Sequence, residues 1–186
     1  DMEKDESGNV IVSELGKPTR YITDHNDRGK AIFNNVLDER VSPTVLPGVI
    51  LYDSFVSPTY PIQMNDGADL KTAQDPPQSS SLVPEGNTVA RFIDFLPGKP
   101  EIWHRTISLD YAVLISGELE LLLDSGESRM IKPGDLIIQR GTEHAWRNPH
   151  PTQTARCFFV QASSEPLVFN EHTLEEHTDW PKGGDE

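Results

Sequence analysis

The residues from 101 to 148 restrict the fold more than any other part of the chain. This stretch, EIWHRTISLDYAVLISGELELLLDSGESRMIKPGDLIIQRGTEHAWRN, is a string of short apolar runs punctuated by turn signals. YAVLI, LELLL and DLIIQ are each about five residues long, and Ser116-Gly117, Asp124-Ser125-Gly126, Pro133-Gly134-Asp135 and Arg140-Gly141 interrupt them. No helical stretch separates the runs. Short, evenly spaced strands of this kind predict an antiparallel sandwich or small barrel.

Successive side chains of a strand point to opposite faces. An extended run from His104 to Asp110 puts His104, Thr106 and Asp110 on one face, and Ala112 and Leu114 continue that row in apolar form. His144 arrives two strands later, after the turn Arg140-Gly141-Thr142. Two imidazoles and a carboxylate in one barrel make a metal site or an acid/base site. As metal ligands, His104, Asp110 and His144 form a 2-His-1-carboxylate set with open positions, suited to Fe, Zn, Mn or Ni. Without a divalent metal the same groups move protons, since an imidazole titrates near neutral pH. Both readings stand at this point.

At 186 residues the chain is expected to be one domain, or one domain with arms, large enough to bury a core. Its 15 Pro and 13 Gly suit a turn-rich β protein. A net charge of −14 repels phosphate backbones and anionic lipid, which disfavours nucleic-acid and membrane partners. There is no long apolar run and nothing that reads as a leader, and the single Cys157 forms no internal disulfide. The expected location is cytoplasmic.

The His104 and His144 segments resemble the cupin family, whose motifs run G-x5-H-x-H-x3,4-E-x6-G and G-x5-P-x-G-x2-H-x3-N. His104 takes the first histidine place, and Asp110, followed by Gly117, takes the glutamate place. Gly134, Gly141, His144 and Asn148 fall into the second motif. Thr106 stands where the family has its second histidine, Asp110 is one methylene shorter than glutamate, and Arg140 replaces the proline in a turn one residue shorter. The resemblance covers residues 86 to 163. It implies an all-β, double-stranded β-helix (jelly-roll) barrel with an N-terminal hairpin arm and an irregular tail.

The chain divides accordingly. Residues 1 to 16 are expected to be a flexible arm, and residues 17 to 85 to carry N-terminal strands and a long loop. The barrel core spans 86 to 163 and the tail 164 to 186. RYIT and KAIF flank HNDRG as a hairpin in which Gly29 supplies a positive φ. LPGVILYDSF is a further strand, and the irregular stretch from 56 to 84 is expected to lie over a barrel mouth or a partner subunit. In NTVARFIDF, Val89, Arg91, Ile93 and Phe95 alternate with Ala90, Phe92 and Asp94, and ARCFFVQA closes the sheet. His172 and His177 share a helical turn or are loose.

Trp103, Tyr111, Trp146 and Phe158 are candidate pocket walls for a flat or aliphatic substrate, with Thr106 lining the pocket. Arg105, Arg140 and Arg147 lie near the expected mouth, where one guanidinium binds a substrate carboxylate or enolate, unless surface ion pairs hold them. Asn148 fixes the turn after His144, and Cys157 is a buried sheet residue. The wider pattern resembles small stand-alone cupins of secondary-metabolite pathways, some labelled oxidoreductases. That resemblance implies a homodimer and a tailoring step on a polyketide-like small molecule: oxidation, dehydration, isomerisation, cyclisation or decarboxylation by an oxidoreductase, lyase or isomerase. The alternative is a barrel that only binds or senses a small molecule, because fold does not dictate chemistry.

Overall fold

A computed structural model describes residues 13–58 and 60–180. In chain order the strands are β1 (Ile22–His25), β2 (Ala31–Asn34), β3 (Thr44–Leu46) and β4 (Val49–Pro58). After the short helix α1 (Ala68–Gln74) come β5 (Asn87–Phe95), β6 (His104–Arg105), β7 (Ser108–Ser116), β8 (Leu119–Leu123) and β9 (Ser128–Ile131). The chain continues with β10 (Leu136–Arg140), β11 (His144–Arg147), β12 (Ala155–Ser163), β13 (Val168–Phe169), β14 (His172–Thr173) and β15 (His177–Thr178).

Two antiparallel sheets carry the molecule. The larger has the order β10-β7-β12-β5-β4-β3, and the smaller β15-β6-β11-β8-β9. Their inward rows close one core: Ala112 and Leu114 of β7, Cys157 and Phe159 of β12 and Phe95 of β5 pack against Leu119, Ile131 and Trp146 of the smaller sheet. Trp146 bridges the sheets, its ring 5.9 Å from both Phe95 and Phe159. Leu114 and Leu119 are fully buried, and each such side chain stabilises the fold by roughly 1.5–3 kcal/mol. The expected all-β barrel is the observed one.

The hairpin also forms as its turn chemistry predicts. β1 pairs with β2, and Gly29 at φ +66° donates its N–H to the Asn26 carbonyl. Gly117 is held more tightly, at φ +80° between β7 and β8, where a Cβ would lie 2.8 Å from Ala155 Cα.

The residue ranges of the parts differ from the expected ones. β3 and β4, expected among the N-terminal strands outside the core, belong to the barrel sheet: β4 pairs with β5 along its length, so that sheet includes residues from 44 onward. β12 does not close the sheet but lies at its centre, between β7 and β5. The irregular stretch contains α1, a helix too short to give a readable period. Residues 1–12 of the expected arm lie outside the described residues. Residues 13–16 are pinned: Glu14 accepts from Thr154 N–H and Oγ1 at 2.7 Å, and Arg156 donates to the Gly16 carbonyl. On the outer face of the larger sheet, Val41, Ile50 and Tyr52 pack with Phe92 over the buried Asp94–Arg156 pair. The histidines of the tail are not on a helix. His172 lies in the β13–β14 hairpin, and His177 in β15, which pairs with β6.

Candidate functional site

The two sheets part at one end to leave an open hollow of about 800 Å³, its mouth included. His104 and His144 stand in its wall as register partners on β6 and β11, with ring centroids 4.2 Å apart. Each ring is locked by its own turn. His104 Nδ1 lies 2.9 Å from the Ile102 carbonyl and His144 Nδ1 2.9 Å from the Thr142 carbonyl. A carbonyl only accepts, so both Nδ1 atoms carry protons and both Nε2 atoms keep a lone pair. Burial lowers the pKa of both imidazoles. His144 is brought to about 3 by desolvation and then by the neighbouring His104 ring, against the pull of the Thr142 carbonyl. His104 is lowered by desolvation, which outweighs its hydrogen bond to Ile102 and the fields of Asp110 and Glu143. Both rings are neutral bases at pH 7.

Asp110 lines the same hollow from the other sheet. The extended run from His104 to Asp110 is broken at Ile107, where the chain bends from the smaller sheet to the larger. Ser108, Asp110, Ala112 and Leu114 do form one buried row, as their parity predicts. Asp110 Oδ1 lies 2.5 Å from Ser108 Oγ, which lies 2.8 Å from Thr106 Oγ1, and Oδ2 accepts from Gln161 Nε2 at 3.0 Å. A hydroxyl has one proton, so with an ionised Asp110 the chain runs from Thr106 through Ser108 to the carboxylate. Desolvation raises the Asp110 pKa, and these hydrogen bonds pull it back down.

The expected metal set does not close. Among the described residues no three His, Cys, Asp or Glu side chains converge closely enough to hold a metal ion. The two imidazoles keep free Nε2 lone pairs, as metal ligands do, and each Asp110 oxygen accepts one hydrogen bond, from Ser108 and from Gln161.

Of the expected substrate contacts, only Trp146 lines the hollow. Phe158 points to the outer face and packs on Phe92 at 4.9 Å, because its neighbour Phe159 takes the inward position. Tyr111 is 46% exposed on the outer face. Trp103 is half-buried outside the lining, and its carbonyl receives the Asp179 N–H. Thr106 and Arg140 border a separate depression near Leu167. Arg105 pairs with Glu143, which also binds His177, and Arg147 pairs with Glu101 and Glu120. Asn148 fixes its turn by donating to the Phe95 and Gln153 carbonyls and also lines the hollow. Cys157 is buried, with its thiol pushed up to about 12 by desolvation.

Residues that motif reading passed over complete the wall. Arg91, Gln139 and Gln161 lie inside the hollow, and Thr178 and Trp180 reach it from the tail. Arg91 was legible as the one polar member of the row Val89, Ile93, Phe95, and Gln139 shares the parity of Ile137. Thr178 and Trp180 carried no local signal, since only the pairing of β15 with β6 brings them there.

No protein-family model matches the chain. The cupin-domain-containing oxidoreductase srdB of Neurospora crassa is 35% identical over 162 residues, covering 87% of this chain and 81% of that protein. This chain belongs to the cupin family. The cupin is also 36% identical over 175 residues to the oryzines biosynthesis cluster protein J of Aspergillus oryzae, covering 91% of this chain and 96% of that one. Among solved structures, the polyketide cyclase RemF from Streptomyces resistomycificus aligns with this cupin at a TM-score of 0.49 and 15% identity, covering 81% of this chain and 88% of that one. No helix among the described residues is long and apolar enough to cross a membrane.

Proposed function

We propose that this cupin is a tailoring enzyme of a secondary-metabolite pathway. In this reading a small molecule enters the hollow, and the imidazole pair removes a proton from carbon or oxygen and returns it elsewhere. The observation that supports this best is the paired tautomer: two neutral rings, each held by a backbone carbonyl and with centroids 4.2 Å apart, keep their Nε2 lone pairs unspent in the wall of one open hollow. Proton abstraction of this kind begins an isomerisation, a dehydration or a ring closure, and none of these needs an external oxidant. His104 and His144 act on the proton. Asp110, with its two hydrogen bonds, polarises the floor, and Trp146 supplies a flat apolar wall. The names of the relatives support the pathway context; the proton chemistry rests on this chain's own residues.

The test replaces the coding allele in the producing host with His104→Ala or His144→Ala. Both variants should accumulate at wild-type protein levels, abolish the final metabolite and build up one shared precursor. An unchanged metabolite profile in both would refute the reading. Dialysis of the purified protein against a chelator should leave turnover of that precursor intact. Loss of turnover that is restored by added Fe or Zn would transfer the chemistry to a metal.

The homodimer is proposed on the outer face of β7 and β10, where Tyr111, Leu136 and Ile138 are exposed together. Light scattering on the eluting protein should give twice the chain mass, and Tyr111→Glu should give one chain mass.

A further inference from the structure

Three polar atoms of residues lining the hollow are buried without a hydrogen-bond partner among the described residues: Gln139 Nε2 and Oε1 and Gln161 Oε1. Gln139, Gln161 and the neighbouring Arg91 all line the cavity and are at most 5% exposed. Buried polar groups in folded proteins are nearly always hydrogen-bonded, so an unpaired set facing one cavity points to a polar occupant.

Register puts them in a row. Asp110 on β7 is the direct partner of Gln139 on β10 and of Gln161 on β12, so three adjacent strands present Gln139, Asp110 and Gln161 side by side. Arg91 lies on the next strand, opposite Phe159. Gln161 gives its Nε2 proton to Asp110, which orients the carboxamide and leaves Oε1 as a free acceptor. Arg91 donates from Nη2 to the Leu82 carbonyl at 2.8 Å, and its Nε pairs with Asp53 Oδ1 at 2.8 Å. Its Nη1 has no acceptor among the described residues.

We propose that this row is the subsite for an acidic end of the substrate. The carboxylate or enolate oxygen of the substrate is taken by Arg91 Nη1, and Gln139 Nε2 donates to a second substrate oxygen. A neighbouring hydroxyl donates to Gln161 Oε1 or Gln139 Oε1. The substrate class is therefore a β-hydroxy or enolised β-keto acid, whose two oxygen-bearing carbons are separated by one carbon. The guanidinium also draws electrons from the carbonyl next to the proton that the imidazoles remove. This deepens the proposed function and rests on its premise that the hollow holds the substrate.

Calorimetric titration of the full chain with salicylate, which carries a carboxylate beside a hydroxyl, and with its neutral analogue salicylamide tests the subsite. The wild type should bind salicylate about tenfold tighter or more, the size of one charge-assisted contact. Arg91→Gln should weaken salicylate about tenfold and leave salicylamide nearly unchanged, whereas Gln139→Leu should weaken salicylate about tenfold and salicylamide as well. Arg91→Gln also removes the contact with Leu82, so Gln139→Leu, which removes only unpartnered atoms, keeps the test independent of folding. Equal affinities for the two probes, unchanged salicylate binding in Gln139→Leu, or no salicylate binding at millimolar concentration would each overturn the proposal. A salicylate preference that depends on Arg91, with binding that depends on Gln139, in a protein whose His104→Ala form still makes the wild-type metabolite, would sustain the subsite and sink the proton chemistry.

Discussion

His104 and His144 face each other as register partners across β6 and β11, with their ring centroids 4.2 Å apart. Neither ring is free to turn, because each Nδ1–H is spent on a carbonyl two residues earlier in its own chain. Local turn geometry sets the tautomers, and the ladder sets the distance. A pair so held has its tautomers set by the fold itself.

Acid should destabilise the fold through this pair. His144 has an ordinary pKa of 6.5 and a folded value of about 3. Between those values the unfolded chain binds a proton that the folded chain refuses, so stability falls as pH falls through that window and is unaffected above it. The slope from His144 is at most about 1.4 kcal/mol per pH unit. His104 adds in the same direction, whereas Asp110, with a raised pKa, opposes it in the acid range just above its ordinary 3.8. Urea denaturation at pH 7, 6 and 5 should show a steep loss in the wild type and a shallower one in His144→Phe. Identical slopes would remove His144 as the cause.

The outer face of the larger sheet holds a second test. Asp94, with no exposed surface, accepts from Arg156 Nε at 2.6 Å and from Nη2 at 2.7 Å. Arg156→Met leaves a buried carboxylate alone and should cost about 3–5 kcal/mol. The double variant Asp94→Leu with Arg156→Met should recover most of that loss in chemical denaturation. If the double variant is no more stable than the single one, the charge is not what the core objects to.

Gly117 and Gly126 separate conformation from contact. Both have positive φ, but only at Gly117 does an added Cβ meet backbone, at Ala155 Cα. Gly126→Ala should cost about 1–2 kcal/mol from the left-handed geometry alone. Gly117→Ala should cost distinctly more, because β12 has to move, and thermal melts of the two variants make the comparison.

Cys157 is fully buried and its thiol titrates at about 12, so it should resist iodoacetamide at pH 8 in the folded protein. Mass spectrometry should find one added carbamidomethyl group only in denaturant. Rapid labelling of the native chain would show that β12 opens.

The strands, the turns and the inward rows were legible because side-chain alternation and glycine placement are local properties. Asp110, Ala112 and Leu114 could be put on one face from parity alone. That same parity failed beyond Ile107, since a single bend moves the chain into the other sheet and resets which way each residue points. The same one-residue sensitivity misplaced Phe158, whose neighbour Phe159 faces the core.

Pattern along the chain thus determined that this protein is a β barrel with two histidines and an acid near its mouth. The fold alone decided that the histidines would be partners, that Asp110 would be tied to Ser108 and Gln161, and that Thr178 and Trp180 would return to the hollow. The reason is that a repeat of two residues specifies a face but never a partner. Partners come from ladders between distant segments, and those form only when the whole core is buried at once.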